Sequence, residues 1–184
     1  QQVGYDTAAF GQGIAVTPLQ MIRALGALAN KGEMVQPHLV SAIRLNSGIE
    51  RKLDWGKKVR VFSATSTQET VRMMSALNDE ILFGGKAKIP TMSVAVKTGT
   101  SQLTTPTGGY YTDRFFHSFV GFFPAYNPRF IILLYTNDPK GVQYASETLD
   151  VAFLDIVHFL IDYYEVPPDR GLTTDSSASP QAMP

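Results

Sequence analysis

The sequence predicts a mixed α/β fold of the α+β type, in which an antiparallel sheet is covered by helices on both faces. Residues 117–123 and 130–135 have the composition of strands and carry apolar side chains on both faces, which is typical of a sheet buried on both sides. The connection between them, residues 124–129, is short enough for an antiparallel hairpin. Helices with recognisable caps precede these strands, and an amphipathic helix follows them.

Length and composition set the broad class of protein. The chain has 184 residues, which is enough for one domain with its own core. Its 16 basic and 16 acidic residues give a formal net charge of +0, so charge offers no reason to expect a nucleic acid or an anionic membrane as partner. Cysteine is absent, which excludes a disulfide framework, a thiolate metal site and a thiol nucleophile, and which fits an extracytoplasmic enzyme.

The sequence contains neither a signal peptide nor a membrane-spanning run. No uninterrupted apolar stretch approaches the roughly 20 residues of a membrane helix. The first residue is Gln1 and not Met, so we expect this sequence to be a piece of a longer protein, with any anchor in the other part.

The N-terminal third is predicted to contain a capped helix and a strand. Thr17 is the expected N-cap, and Gln20 completes a capping box with it. The helix should end at Gly32, because glycine suits the left-handed conformation of a helix stop. A strand is predicted over residues 39–43, and the charged residues 50–60 are expected to be no more than exposed surface.

Two further helices are predicted. Ser66 and Glu69 indicate a second capping box, with a helix over residues 70–82, and the last helix should span residues 146–164. The polar face of the last helix carries two acids and a histidine, which we interpret as a solvated cluster in preference to a metal site: Asp155, His158 and Asp162. No metal and no cofactor are expected.

A strand that ends in polar residues is the main sign of a functional site. Residues 92–96 alternate as a half-buried strand does, and they run directly into Lys97, Thr98, Gly99 and Thr100. An ammonium, two short hydroxyl donors and a glycine that admits a ligand to the backbone suit the binding of a carboxylate. Taken alone, these residues also fit a strand that ends in an exposed turn.

The residues after this strand are predicted to form a long loop. Residues 101–114 are rich in Thr and Gly, and a loop of this length between strands is usually functional or mobile. Tyr110 and Tyr111 could line the site from this loop or be ordinary exposed tyrosines. His117, on an apolar strand, is predicted to be a satisfied core histidine and not a catalytic group.

Four stretches, in order along the chain, carry a resemblance to one family: residues 10–20 (FGQGIAVTPLQ), 29–32 (ANKG), 97–102 (KTGTSQ) and 118–124 (SFVGFFP). They resemble the C-terminal half of class B penicillin-binding proteins, the peptidoglycan D,D-transpeptidases of cell division and elongation. The resemblance implies the C-terminal part of the penicillin-binding transpeptidase fold, which is similar to that of serine β-lactamases. The implied organisation is a partial transpeptidase domain over residues 1–170 and a disordered tail over residues 171–184.

The resemblance also implies a chemistry. In this family a serine attacks the D-alanyl-D-alanine end of a stem peptide, and an amine of a neighbouring stem peptide resolves the acyl-enzyme. The implied partners are peptidoglycan stem peptides, β-lactams and a glycosyltransferase of the division or elongation machinery. The implied place is the extracytoplasmic face of the bacterial cell membrane, with an N-terminal anchor outside this sequence.

Residue roles follow from the match to the family's Lys-Thr-Gly motif. Lys97 matches the lysine that helps to set the field and the proton network around the family's serines. Thr98 and Thr100 match the hydroxyls that hold the substrate carboxylate, and the backbone N–H of Thr100 matches an oxyanion-hole donor. The predicted site therefore comprises catalytic Lys97 and Thr100 and substrate-binding Thr98, Gly99, Thr100, Ser101, Tyr110 and Tyr111.

The chain departs from the family pattern in three ways. No serine has a lysine three residues on, so the nucleophile motif Ser-x-x-Lys is absent, and the second motif, Ser-x-Asn, is absent too. Both normally precede the region present here, so we expect them in a longer parent protein and expect this chain alone to be inactive. Val96 stands where the family often has glycine. The alternative function is a non-catalytic scaffold or binding module that kept the fold.

Two structural expectations concern sheet edges. Alternation along a strand places Thr98 and Thr100 on one side and Lys97 on the other, so all three can serve one site only if their strand lies at an edge. The strand over residues 130–135 should present a second, apolar edge, because in the family it is flanked by strands from before the nucleophile.

Overall fold

The computed structural model describes residues 6–9 and 11–171, and its first long helix begins where the sequence predicts. Helix α1 spans Pro18–Ala29. The Thr17 hydroxyl accepts a hydrogen bond from the Gln20 N–H (3.2 Å), and the Gln20 side chain accepts one from the Thr17 N–H (2.8 Å). These bonds satisfy N–H groups that have no partner within the helix. The predicted capping box is confirmed.

The end of α1 requires glycine. Gly32 has a φ of +87°, and its N–H donates to the carbonyl oxygen of Ala27 at 2.7 Å. A Cβ at this position would collide with the carbonyl oxygen of Phe62. Both the left-handed backbone and the close approach exclude other residues, so the predicted stop at Gly32 is confirmed.

Four short strands follow α1 and form two small antiparallel sheets. Strand β1 (Glu33–Met34) pairs with β4 (Val59–Arg60), and β2 (Ala42–Arg44) pairs with β3 (Glu50–Lys52). The strand predicted over residues 39–43 is therefore wrong at its start, since pairing begins only at Ala42. Residues 50–60 are exposed, as predicted, except for Leu53, which is half-buried, but they contain two of these strands, because backbone pairing does not require apolar side chains.

Helix α2 spans Ala64–Ala76, and its start differs from the prediction. The N-cap is Ser63, whose hydroxyl accepts a hydrogen bond from the Ser66 N–H at 3.0 Å. The predicted capping box at Ser66 and Glu69 is wrong, because Glu69 pairs instead with Arg72 (3.0 Å) one turn further along the helix.

The α-helical geometry of α2 ends before residue 82, where the sequence had placed the end of the helix. Leu77–Ile81 form a π-helical turn, and Leu82–Gly85 form a 3-10 turn in which Phe83 and Gly84 adopt positive φ values. Gly84 and Gly85 therefore belong to a separate turn that leads the chain toward the main sheet.

The main sheet has three antiparallel strands. Strand β5 (Ala95–Thr104) pairs with β6 (Tyr110–Phe123), and β6 pairs with β7 (Phe130–Asn137), so the order within the described residues is β5-β6-β7. The two predicted apolar strands and the short hairpin between them are confirmed.

The long loop predicted over residues 101–114 is wrong. Strand β5 continues to Thr104 and β6 begins at Tyr110, so only a five-residue connection remains between them. Cross-strand pairs such as Ser101 with Phe116 and Gln102 with Phe115 extend the hairpin. Threonine and aromatic residues suit strands, and these pairings outweigh the turn-like local composition.

Helices cover both faces of the main sheet, as predicted. Helix α3 (Asp150–Tyr163), which follows a 3-10 turn at Ala145–Glu147, covers the face that we call the α3 face. There Phe153 packs on Phe119, with ring centroids 4.5 Å apart. The opposite face, the α1 face, packs against α1 and α2 through Val71, Met74, Ala95 and Phe122, with Leu28 at its margin. The last helix was predicted to begin at residue 146, four residues too early.

The C-terminal end of the described chain is tied to the start of β5. The carboxylate of Asp169 accepts hydrogen bonds from the Ser93 N–H (2.7 Å) and from the Ser93 hydroxyl. Arg170 forms an ion pair with Asp79 (2.7 Å). These contacts agree with a domain that extends to residue 170, although that limit stays a prediction, and residues 172–184 of the predicted tail lie outside the described residues. None of the helices in the described ranges is both long and apolar enough to cross a membrane.

The outer edge of β7 is unpaired within the described residues, and we expect it to make the isolated chain self-associate. Tyr135→Lys places a charge on this strand and should reduce the association, which sedimentation velocity over a range of concentrations would measure. Tyr126→Lys is a matched control in the β6–β7 connection, since both tyrosines are 52% exposed. A monomer at high concentration, or an equal effect of both variants, would contradict the expectation.

Candidate active site

The strand that carries the predicted site lies at an edge of the main sheet. Within the described residues, β5 pairs with β6 alone. This is the arrangement that Lys97, Thr98 and Thr100 require if they are to serve one site, so the expectation of an edge strand is confirmed.

The backbone of β5 shows which residues face the open edge. The carbonyl oxygen of Ala95 points toward β6, since it lies 3.0 Å from the position that a Cβ on Gly121 would occupy. In an antiparallel strand both polar groups of one residue point the same way, and the direction alternates along the strand. The N–H and C=O groups of Thr98 and Thr100 therefore face the open edge.

Lys97 brings a positive charge to the same edge. Its ammonium donates a hydrogen bond to the carbonyl oxygen of Thr98 at 2.6 Å, so the side chain bends back along its own strand. Lys97 also lines a pocket of about 460 Å³ together with residues of α2, among them Met73 and Leu77. The Cβ of Lys97 lies on the opposite face of the sheet from those of Thr98 and Thr100. Its long side chain therefore has to bend to the open edge to share a site with them.

The hydroxyl of Thr100 has a defined backbone partner. Its Oγ1 accepts a hydrogen bond from the Ala145 N–H at 3.0 Å. A hydroxyl has one proton to donate, and a donor that already accepts from an N–H keeps that proton available for a ligand. Together with the Lys97 ammonium, such a donor suits an anionic group.

A second pocket opens beside the same strand. Its volume is about 640 Å³, and Gly99, Thr100 and Ser101 line it opposite Met21 and Leu25 of α1. A Cβ at Gly99 would come within 2.5 Å of Ser118 Oγ, so a larger residue there would require the Ser118 side chain to rotate. Three of the predicted substrate-binding residues therefore border one cavity.

Tyr110 and Tyr111 lie at the start of β6, at the end of the hairpin far from the ammonium, and neither lines the two pockets described above. The Arg114 guanidinium lies 4.6 Å from the centre of the Tyr111 ring. Arg114 also pairs with Asp138 at 2.7 Å, and this contact, with Lys140, lowers the pKa of the Asp138 carboxyl to about 2. Tyr111 thus lies beside a charged cluster that joins β6 to the residues after β7.

The segment of residues 143–148, which the sequence did not single out, borders the site through Ala145. His117, also fully buried, is bonded to this segment through both ring nitrogens: Nδ1 lies 3.0 Å from Thr148 Oγ1, and Nε2 lies 2.9 Å from the Gln143 carbonyl oxygen. The prediction of a satisfied core histidine is confirmed. No periodicity or motif marks this segment, because its contacts join residues far apart in sequence.

The polar face of α3 does not form a metal site in the described part of the chain. Asp155, His158 and Asp162 are exposed, and the described residues contain no group of three or more potential ligands placed to hold a metal ion.

An open strand edge that presents an ammonium and a hydroxyl donor beside a cavity suits a carboxylate-bearing ligand. Residues 1–157 match the family described as the penicillin binding protein transpeptidase domain. The chain belongs to this family. The predicted resemblance is thereby confirmed.

Curated relatives support the same assignment. The peptidoglycan D,D-transpeptidase FtsI homolog of Mesostigma viride is 30% identical over 179 residues, which cover 86% of this chain and 29% of that protein. Penicillin-binding protein PbpB of Mycobacterium tuberculosis is 32% identical over 172 residues, which cover 88% of this chain and 25% of that protein. The chain therefore spans less than a third of the length of these relatives.

Solved structures confirm the predicted fold. Penicillin binding protein 3 of Mycobacterium tuberculosis, complexed with aztreonam, superposes with a TM-score of 0.76 at 28% identity, covering 91% of this chain and 40% of that one. A peptidoglycan synthetase from Bifidobacterium adolescentis gives a TM-score of 0.78 at 25% identity, covering 95% and 32% of the two chains.

Asp150, the first residue of α3, is a buried acid close to the 143–148 segment. It is 2% exposed, and neither carboxylate oxygen has a hydrogen-bond partner among the described residues. Burial disfavours the charged form and raises the pKa of this carboxyl to about 6.

Asp150→Asn should remove a pH dependence of stability. The folded-state pKa of about 6 exceeds the ordinary value of 3.8, so the folded protein keeps a proton that the unfolded chain releases. The contribution to stability is full below the ordinary pKa and is lost as the pH rises through the folded-state pKa. The wild type should therefore lose on the order of 3 kcal/mol more than the variant across this interval.

Urea unfolding at about pH 4 and about pH 7.5 would measure the difference between the two proteins. Asp155→Asn, an exposed acid on the same helix, should keep the pH dependence of the wild type. Equal slopes for the wild type and Asp150→Asn would show that Asp150 titrates at its ordinary pKa in the folded protein.

Proposed function

We propose that this chain forms the carboxylate-binding wall of a penicillin-binding serine D,D-transpeptidase, which cross-links peptidoglycan stem peptides through an acyl-enzyme. The observation that carries the proposal is the open edge of β5, which holds the Lys97 ammonium, the Thr100 hydroxyl and the outward-facing backbone groups of Thr98 and Thr100. Family membership over most of the chain supports it.

In the proposed reaction the serine oxygen attacks the carbonyl carbon of the penultimate D-alanine. The peptide bond breaks, and the terminal D-alanine leaves with a proton on its amine. An amine of a second stem peptide then attacks the ester, forms the cross-link and returns a proton to the serine. The serine has to come from outside this sequence, since no Ser-x-x-Lys occurs here.

Each residue of β5 has a proposed role in this reaction. Thr98 and Thr100 hold the substrate carboxylate with their hydroxyls, and the ammonium of Lys97 supplies the positive field. The Thr100 N–H faces the open edge, as an oxyanion-hole donor must, and would stabilise the negative charge of the tetrahedral intermediate. Gly99 and Ser101 admit the peptide backbone, and Tyr110 and Tyr111 are assigned to the acceptor side of the cleft.

Partners and location follow from the same proposal. The ligands are stem peptides and the β-lactams that mimic them, and the relatives named as peptidoglycan D,D-transpeptidases support this assignment. We assign a glycosyltransferase of the division or elongation machinery as protein partner. The proposed place is the extracytoplasmic face of the bacterial membrane, with an anchoring segment outside this sequence.

Labelling with a fluorescent penicillin tests the proposed function. The 184-residue chain should form no covalent adduct, because an unactivated serine is a weak nucleophile, whereas the full-length gene product should form one. In the full-length protein Lys97→Ala should abolish labelling. Thr98→Val and Thr100→Val should each slow it by on the order of 100-fold, the usual effect of losing one such contact.

Thr104→Val, at the far end of the same strand, is the matched control and should label at the wild-type rate. An adduct on Ser101 of the isolated chain, located by mass spectrometry, would require an enzyme of different design. A full-length protein that carries both upstream motifs and is not labelled would favour the non-catalytic scaffold.

A further inference from the structure

A buried histidine is connected to the proposed carboxylate site by a short chain of hydrogen bonds. His117 and Thr100 are directly opposite each other in the β5–β6 register, so both side chains lie on the α3 face of the sheet. Both side chains contact the 143–148 segment, which lies over them on that face.

The His117 ring holds the segment at two points that flank Ala145. The Gln143 carbonyl can only accept, so His117 Nε2 carries a proton and donates it at 2.9 Å. His117 Nδ1 lies 3.0 Å from Thr148 Oγ1, whose single proton can go either to this nitrogen or to the Ala145 carbonyl oxygen at 3.2 Å. The ring itself is fully buried, whereas Thr148 is half-buried and Gln143 is exposed.

The segment between these two points has little freedom of its own. A single carboxylate oxygen of Glu147 accepts from the N–H groups of Gln143 (3.2 Å) and Tyr144 (2.7 Å). The next N–H, that of Ala145, points to Thr100 Oγ1 at 3.0 Å. The direction of the Ala145 N–H is therefore set by the hydrogen bonds that hold the 143–148 segment.

We propose that His117 and Thr148 are positioning residues for the Thr100 hydroxyl. By fixing the 143–148 segment, they keep the Ala145 N–H on one lone pair of Thr100 Oγ1, which leaves the hydroxyl proton directed at a ligand carboxylate. Without this N–H the hydroxyl is free to rotate and can turn its lone pairs toward the ligand. An anionic ligand needs a hydrogen-bond donor, so that orientation would weaken binding. The inference rests on the proposed function, since it assigns how the same site recognises a carboxylate.

The first experiment measures the hydrogen-bond chain without any ligand. His117→Phe keeps an aromatic ring in a buried position and removes both bonds to the segment. Hydrogen exchange of the Ala145 amide in the full-length protein should become at least about tenfold faster. Val157→Ala, a buried truncation in α3 away from the segment, lowers stability without loosening it and should leave the exchange of Ala145 unchanged relative to its neighbours.

The second experiment measures recognition of the carboxylate. The rates at which a penicillin and its methyl ester acylate the full-length protein give a ratio of acid to ester. His117→Phe should lower this ratio by on the order of tenfold, as expected for a weakened hydrogen bond to a charged group. Thr100→Val should lower it at least as much, and the double variant should lower it no further than Thr100→Val alone, because both act through one hydroxyl.

Thr148 supplies a conservative rescue. Thr148→Ser keeps the hydroxyl and should retain the wild-type ratio, whereas Thr148→Val is isosteric, removes the hydroxyl and should behave as His117→Phe does. If Thr148 had only a structural role, Thr148→Ser and Thr148→Val would have the same acid-to-ester ratio and would differ only in stability.

Three outcomes would overturn the inference: unchanged Ala145 exchange in His117→Phe, an unchanged acid-to-ester ratio in that variant while Thr100→Val lowers it, or additive effects in the double variant. Failure of the proposed function is distinguishable, because there the wild-type protein is not acylated at all. Faster exchange together with a lower, non-additive ratio would support the inference.

Discussion

The free edge of β5 is the constraint on which the rest of the structure depends. One side of the strand is held by β6 over nearly its whole length, and the other side leaves backbone N–H and C=O groups unpaired within the described residues. A free edge invites pairing with another strand, and natural proteins protect such edges with charges. Here Lys97 lies on that edge and bonds to the outward carbonyl of Thr98. In the proposed function, the charge that protects this edge from pairing with another strand also attracts the anionic end of a peptide.

The two edges of the sheet differ in chemistry, and the difference separates a ligand site from a packing surface. The β5 edge ends in an ammonium, hydroxyls and a glycine, and it borders open cavities. The β7 edge is built from Ile131, Ile132, Leu133 and Leu134, whose side chains already contribute to the faces of the sheet. Charged and hydroxyl groups bind a small polar ligand in the presence of water, whereas an apolar strand gains most from burial against further structure.

Close contacts on the α3 face fix the position of the site. Gly121 leaves room for the Phe153 ring, which brings α3 against the sheet, and the chain that leads into α3 passes over Thr100 and His117. Asp150, a buried acid that has no hydrogen-bond partner within the described ranges, lies at the same junction. Such an arrangement costs stability and is tolerated because the surrounding core is large. The geometry of the threonine hydroxyl thus depends on packing that begins far from the ligand.

The sequence by itself determined the features that depend on neighbours within one turn or one strand. The Thr17 capping box, the stop at Gly32 and the apolar strands of the sheet follow from local spacing. The proposed site residues from Lys97 to Ser101 are contiguous, so the sequence could nominate them together. Tertiary structure favours Ser63 over Ser66 as the cap, since the N–H groups of Val61 and Phe62, just before the helix, both donate to the Gly32 carbonyl oxygen. Tertiary structure also made residues 101–104 and 110–114 of the predicted loop into paired strands, and it brought Ala145 to Thr100. The sequence could not show these contacts, because the paired residues are separated by distances along the chain that follow no helix or strand period.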